Sequence, residues 1–241
     1  MMKIELNEKP QKVVLVEGFP GFGFVSTIAV EYLVDHLKLK QIGRIWSSEL
    51  APMAIIHGKR IIQPIDILYN EKLNLVILEA IAGVSGLEWE VADAILFLYK
   101  KLNAKEVIAI EGVGSPDSEK EEPDAYYYSN DEARAKMLQS SGAFPMKDGI
   151  VLGVSGALLD KLDKDIRASF IFAETQSKLP DNRAAAKIIQ VLDKYLGLDI
   201  DYAPLLKRAT EIEEKIKGLL EQARTATDMQ KQKGDATQYI S

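Results

Sequence analysis

Short apolar runs alternate with helical patterns from residue 12 to residue 196, and that alternation limits the fold more than any other feature of the chain. Runs at 12–17, 42–46, 53–57, 60–68, 74–80, 106–111, 150–154 and 167–174 read as strands. Apolar faces at 24–38, 87–102, 131–139, 155–163 and 181–196 read as helices. Strands joined through helices pair in parallel and need a helical layer over each face. The pattern therefore predicts an α/β domain with a mostly parallel sheet covered by helices on both faces. The exception is 53–68, where two runs meet at His57-Gly58-Lys59, a hairpin turn. The acidic, proline-bearing stretch 115–130 reads as a long surface loop, and loops of that length often carry function. Its Tyr126-Tyr127-Tyr128 run reads either as a contact patch or as a clasp closing the loop on the domain.

After Gly197 the pattern changes. Leu205, Ala209, Ile212, Ile216, Leu219 and Ala223 follow at alternating steps of four and three, a heptad seam. Glu211–Lys215 and Glu213–Lys217 support a helix from the outer face. Such a helix packs either on its own domain or on a neighbouring subunit, and the second reading makes Leu205, Ile212, Ile216 and Leu219 an oligomer seam. Residues 224–241 hold too few apolar side chains to order themselves. The expected division is thus an α/β core at 1–200, an amphipathic helix at 201–223 and a flexible tail at 224–241. The tail, with Met229 and the closing Tyr239, Ile240 and Ser241, reads either as a frayed terminus or as a tethered ligand for a partner.

Composition excludes several classes. Over 241 residues the formal net charge is -6, which argues against a dedicated nucleic-acid binder. No apolar run approaches the roughly 18 residues of a membrane span, and the first residues lack the apolar region of a secretory signal. The expected location is the cytoplasm. With no cysteine there is no disulfide, thiolate metal site or cysteine nucleophile. His36 and His57 are the two histidines. No metal, cofactor or catalytic residue is assigned.

Three motifs carry candidate chemistry. The stretch from Glu17 to Ser26 places Gly18, Pro20, Gly21 and Gly23 between a strand and a helix, where α/β proteins often hold phosphate. Its nearest fingerprint is Gly21-x-Gly23-x-x-Ser26, with Glu49 near the distance of a ribose-binding acid but no matching strand end. The bulky Phe22 and Phe24 suit packing or a subunit contact better than a pyrophosphate. Secondly, four predicted strands end in glutamate followed by a small residue, at Glu17, Glu79, Glu111 and Glu174. On one parallel-sheet edge these carboxylates could hold a cation or work as an acid/base pair. Each could equally accept hydrogen bonds at the amino end of the next helix. Thirdly, Gly-Val-Ser-Gly occurs at 83–86 and 153–156, with Ser85 and Ser155 expected to cap the helices that follow. Ser155 also resembles a shortened nucleophile elbow, but neither histidine has a visible route to it.

In order and spacing these segments resemble the archaeal branch of the proteasome assembly chaperone family, related to the proteasome assembly chaperones of eukaryotes. Gly18-Phe19-Pro20-Gly21-Phe22-Gly23 is similar to its opening turn. Glu111-Gly112, the Asp117-to-Tyr128 loop, Gly153-Val154-Ser155-Gly156 and Ala173-Glu174-Thr175 before Pro180-Asp181 match further on. The resemblance covers residues 10–223. It implies a three-layer α/β/α fold with a mostly parallel sheet, phosphorylase-like in shape but without the known phosphorylase chemistry, together with homo-oligomers and an ATP-independent chaperone or adaptor role for the proteasome or other multi-subunit partners. Some members dock into the proteasome α ring through a C-terminal hydrophobic–tyrosine–any tripeptide. This chain ends Gln238-Tyr239-Ile240-Ser241, so its tyrosine is third from the end and the tripeptide is displaced. The rival expectation is an enzyme of phosphorylase- or hydrolase-like fold that uses the strand-end glutamates.

Overall fold

The computed structural model describes residues 2–52, 54–57, 60–81, 83–114, 122–175 and 179–207. In chain order the first half runs β1 (Lys3–Leu6), β2 (Val14–Gly18), α1 (Val25–Leu37), β3 (Lys40–Trp46), β4 (Ile55–His57) and β5 (Arg60–Ile62). Then come β6 (Ile65–Asn70), β7 (Leu75–Ala80), α2 (Glu88–Lys101) and β8 (Glu106–Gly114). The second half adds β9 (Ala125–Ser129), α3 (Glu132–Ser140), β10 (Phe144–Pro145), α4 (Gly153–Asp160), β11 (Ala168–Thr175) and α5 (Asn182–Leu196). Nine strands form one sheet in the order β1-β3-β6-β7-β2-β8-β11-β9-β10, and β4 and β5 form a separate hairpin.

The centre of the sheet is parallel, as the alternating pattern requires: β7, β2, β8 and β11 run side by side in one direction. Outside that centre β6, β3 and β1 join antiparallel on one flank, and β9 joins antiparallel on the other. Both faces are covered. Leu15, Val76, Leu78, Val107, Ala109, Phe170 and Phe172 point into a core shared with α2 and α4. Val16, Ile77, Ile108, Ile110, Ile171 and Ala173 point into a second core shared with α1, α3 and α5. Strict alternation of side chains along the central strands produces these two cores, and it decides which way each strand-end glutamate faces.

The hairpin expected around residues 57–59 exists, with His57 opposite Arg60 across β4 and β5. Two local expectations are corrected. Residues 150–152 form no strand, and Ile150 is 85% exposed and Leu152 71%. The extended path is broken at Gly153, whose φ of +68 turns the chain directly into α4. The second correction falls in the 115–130 stretch, where Ala125–Ser129 is strand β9, wedged between β11 and β10 with Tyr127 buried. The tyrosine run alternates like a strand because it is one. Beyond the predicted runs, β1 is a four-residue edge strand.

Leu198, Ile200 and Leu205 belong to the second core, so the chain stays on the domain past residue 200. Residues 203–207 are helical. Among the described residues no helix is long and apolar enough to cross a membrane.

Candidate functional site

The carboxyl ends of β2 and β8 lie side by side, with Glu17 opposite Ala109, so Glu111 stands two residues farther along the neighbouring strand. Leu15 and Ala109 both face the α2/α4 layer, and two residues on, Glu17 and Glu111 rise from that same face. Glu79 faces the other layer, since Leu78 and Ala80 occupy the α2/α4 side. Glu174 faces the α2/α4 side but is engaged, accepting a hydrogen bond from Tyr126 Oη at 3.1 Å. Of the four strand-end glutamates the sheet thus brings two together.

Above this pair the chain closes from three directions. The Gly18–Phe24 turn comes over β8 so closely that a Cβ on Gly21 would sit 3.1 Å from Glu111 Oε1, and one on Gly112 would sit 2.2 Å from the Phe22 carbonyl oxygen. The turn is pinned elsewhere too: Ser26 Oγ donates to the Phe19 carbonyl, and Asp181 N–H donates to the Gly23 carbonyl at 2.9 Å. From the other sides arrive the two Gly-Val-Ser-Gly segments, one ahead of α2 and one opening α4. Phe19, Pro20, Val84, Ser85, Glu88, Glu111 and Ser155 line the resulting cleft of about 90 Å³.

The serines do not cap their helices as expected. Leu87 stands at the N-cap of α2 and Leu152 at that of α4, neither with a side-chain cap. Glu88 closes the α2 end instead, accepting from the Gly86 N–H at 2.9 Å. Ser155 sits in the first turn of α4, buried, and its hydroxyl hydrogen-bonds the Glu111 carboxylate. The alternative expectation, that the glutamates serve the next helix, fails for Glu17. It is 1% exposed, and neither carboxyl oxygen has a hydrogen-bond partner. Burial, reinforced by Glu111 nearby, pushes the Glu17 carboxyl well above the usual carboxylate range. Burial likewise raises Glu111, to about 7, against the lowering effect of the Ser155 hydroxyl. Glu111 Oε2 is also buried without a partner.

His36 does not join this site. His36 lies on α1, in the opposite layer, stacked on Tyr32 with ring centroids 3.8 Å apart. His36 thus forms no Ser-His arrangement with Ser155. Among the described residues no group of three or more histidine, aspartate or glutamate side chains could hold a metal ion. The convergence of the two Gly-Val-Ser-Gly segments on one cleft was visible in the sequence only as a repeated tetrapeptide.

The residues assigned to subunit contacts fall in different places. Phe24 is 44% exposed and held in the left-handed region at φ 50, costly for a bulky side chain. Phe22 is partly buried, beneath the turn and against β8. Leu205 is 1% exposed and occupied by the domain's own second core. Ile212, Ile216, Leu219, Met229, Tyr239, Ile240 and Ser241 lie outside the described residues.

Comparison with known proteins agrees with this architecture. A sequence profile of the PAC2 family matches residues 15–220. Pyrococcus furiosus PbaA, an archaeal homolog of proteasome-assembly chaperone, superposes with a TM-score of 0.82 at 31% identity, over 97% of this chain and 98% of PbaA. Pyrococcus furiosus PbaB, an archaeal proteasome activator, shares the fold at a TM-score of 0.77 and 23% identity, over 90% of this chain and 98% of PbaB. The uncharacterized protein MJ0106 of Methanocaldococcus jannaschii is 28% identical over 213 residues, 87% of this chain and 86% of that protein.

Proposed function

The chain belongs to the PAC2 family, and from that premise we propose that it is an assembly chaperone or adaptor, a cytoplasmic homo-oligomer that captures protein partners without ATP. The observation that carries this reading is the likeness to PbaA, which extends over nearly the whole of both chains. Proteasome subunits are the first partner to try, because PbaA is a homolog of proteasome-assembly chaperone. The strand-to-helix turn supports an ATP-independent role: the carboxylate under Gly21 would repel a phosphate from the place where α/β proteins usually hold one. Partners are to be held by residues 224–241. Several copies of a weakly binding tail, clustered by an oligomer, add avidity without a tight single contact. With its tyrosine displaced by one position, the tail is expected to grip by other contacts than the family tripeptide. No nucleic-acid or membrane partner is proposed.

The test is native mass spectrometry of the full chain with purified archaeal proteasome α subunits, run beside a chain ending at residue 223. The full chain should form a mixed complex, and the shortened chain should keep its own oligomeric mass while losing that complex. A mixed complex that survives the truncation unchanged rejects tail capture. No complex with either chain rejects the proteasome as client.

A second reading, an enzyme working through the strand-end glutamates, draws on Glu17 and Glu111 alone, since Glu79 and Glu174 are turned or engaged elsewhere. The pair has acid/base character, with the Ser155 hydroxyl beside Glu111, and what it offers more directly is a binding site.

A further inference from the structure

We propose that the cleft between the amino ends of α2 and α4 binds a small primary ammonium group, with Glu111 as its carboxylate and Ser155 and Ser85 at its rim. The inference concerns the α/β core alone and does not depend on the chaperone reading.

The starting point is an imbalance of donors and acceptors. Oε2 of Glu111, which lines this cleft, is buried without a hydrogen-bond partner, and so are both carboxyl oxygens of Glu17 on the neighbouring strand. Buried polar groups are nearly always paired, and each one left unpaired costs about 1–3 kcal/mol. Glu17 is not at a fraying end. It sits in the central strand β2, flanked on both sides by β7 and β8. Nothing in the packing prevents an apolar residue there, as Leu15 and Val16 show on the same strand. Two carboxyl groups placed side by side in a dry site are costly to the fold and useful to a ligand that brings positive charge and several N–H donors.

The chemistry of the rim selects the ligand. An anion would gain from the amino ends of α2 and α4 but would face Glu111 and Glu88. A divalent metal would want a third acidic or imidazole ligand, and no such trio exists among the described residues. An alkylammonium head has three donors on one nitrogen, which matches the acceptors present, and its carbon stem suits the apolar walls of Phe19 and Val84. The cleft volume of about 90 Å³ admits a head of only a few heavy atoms. A free small amine and the tip of a lysine side chain share this chemistry.

Among the described residues the titratable groups beside Glu111 are Glu17 from β2 and Glu88 from α2, with Glu174 two residues past its β11 partner Phe172, and α4 contributes the Ser155 hydroxyl. None of these is a cation, so among the described residues a bound ammonium would be the first charged group of positive sign in the cleft. It requires Glu111 ionised. With Glu111 titrating at about 7, its ionised fraction rises roughly tenfold between pH 6 and pH 8, and affinity should rise with it.

The experiment is calorimetric titration of the full chain with n-propylammonium chloride at pH 6 and pH 8. Sodium chloride, sodium acetate and sodium phosphate serve as controls, and Nα-acetyl-lysine methylamide as a second probe. Saturable binding of propylammonium, about tenfold weaker at pH 6, is the expected result. The lysine probe distinguishes the sources: binding as tight as propylammonium's marks a lysine tip, and absence of binding marks a free amine. Glu111→Gln should abolish the heat, and its melting curve shows whether the fold survives. Ser155→Ala keeps the carboxylate but removes the bond that lowers its pKa, so it should move the pH midpoint of binding upward. No saturable heat with either ammonium probe at pH 8, binding with no pH dependence, or a preference for acetate or phosphate would each overturn the proposal.

Discussion

Glu17 shows at the residue scale what a strand pattern reveals and what it hides. Four glutamates before a small residue can be picked out of the sequence, but their meeting depends on the pleat and on register. Those place Glu17 and Glu111 on one face and turn Glu79 to the other. The burial that brings the pair together has a consequence for stability. Both carboxyls titrate above the unfolded value of 4.5, so the native state holds more protons than the unfolded chain at intermediate pH. Stability therefore falls as pH rises from below 5 through 7, in contrast to a protein whose carboxylates are ion-paired. Glu111 alone accounts for up to about 3 kcal/mol of that fall, at about 1.4 kcal/mol for each unit between 4.5 and about 7. Replacing Glu17 with glutamine keeps the size and removes the ionisable group. Urea midpoints should show Glu17→Gln more stable than the parent at pH 8 by about 1–3 kcal/mol, and nearly equal at pH 4.5. Equal stability at pH 8 would mean that Glu17 is no harder to ionise in the fold than out of it.

At the scale of elements, the helices with a clear acidic cap were the most legible. Asp181 before Asn182-Arg183-Ala184 announces α5, and in the structure its carboxylate accepts from the Arg183 and Ala184 N–H groups at 3.1 and 3.0 Å. The α4 boundary was misread because Ile150-Val151-Leu152 looks like a strand by composition. With no neighbouring strand to receive it, an apolar triplet does not become one. Asp181 also does what no propensity could show. It accepts from the Thr175 hydroxyl at the end of β11 at 2.6 Å, and its N–H holds the Gly23 carbonyl of the turn over Glu111. One residue ties the start of α5 to the end of the sheet and to the roof of the cleft. Asp181→Ala should thus cost more than a cap alone, about 2 kcal/mol by urea unfolding, at the upper end of cap substitutions. Amides of Phe22 to Phe24 should also exchange faster with solvent in that variant. A loss near 0.5 kcal/mol with unchanged exchange would reduce Asp181 to an ordinary cap.

For the whole molecule, the alternating pattern and the glycine punctuation were enough to give three layers, because a parallel centre has to be covered on both faces. The antiparallel flanks were less visible: β1, β9 and β10 are short, and what recruits them is the free edge of the sheet rather than their own composition. Association between copies belongs to this scale. The heptad seam begins at Leu205, and that side chain is already buried in the domain's second core, while its neighbour Leu206 is 40% exposed. A seam that starts on the domain can continue along it or leave it for a second copy, and the two courses respond differently to charge. Ile212→Glu with Ile216→Glu introduces two carboxylates into the seam. If the helix joins subunits, the double variant should lose oligomeric mass in sedimentation or native mass spectrometry. Its melting temperature, extrapolated to low protein concentration, should match the parent's, because the oligomer contributes stability by mass action and the core does not. If instead the helix packs on its own domain, the same variant should keep its mass and melt earlier at every concentration, and the subunit seam would then have to be sought elsewhere, with the exposed Phe24 as the first position to substitute.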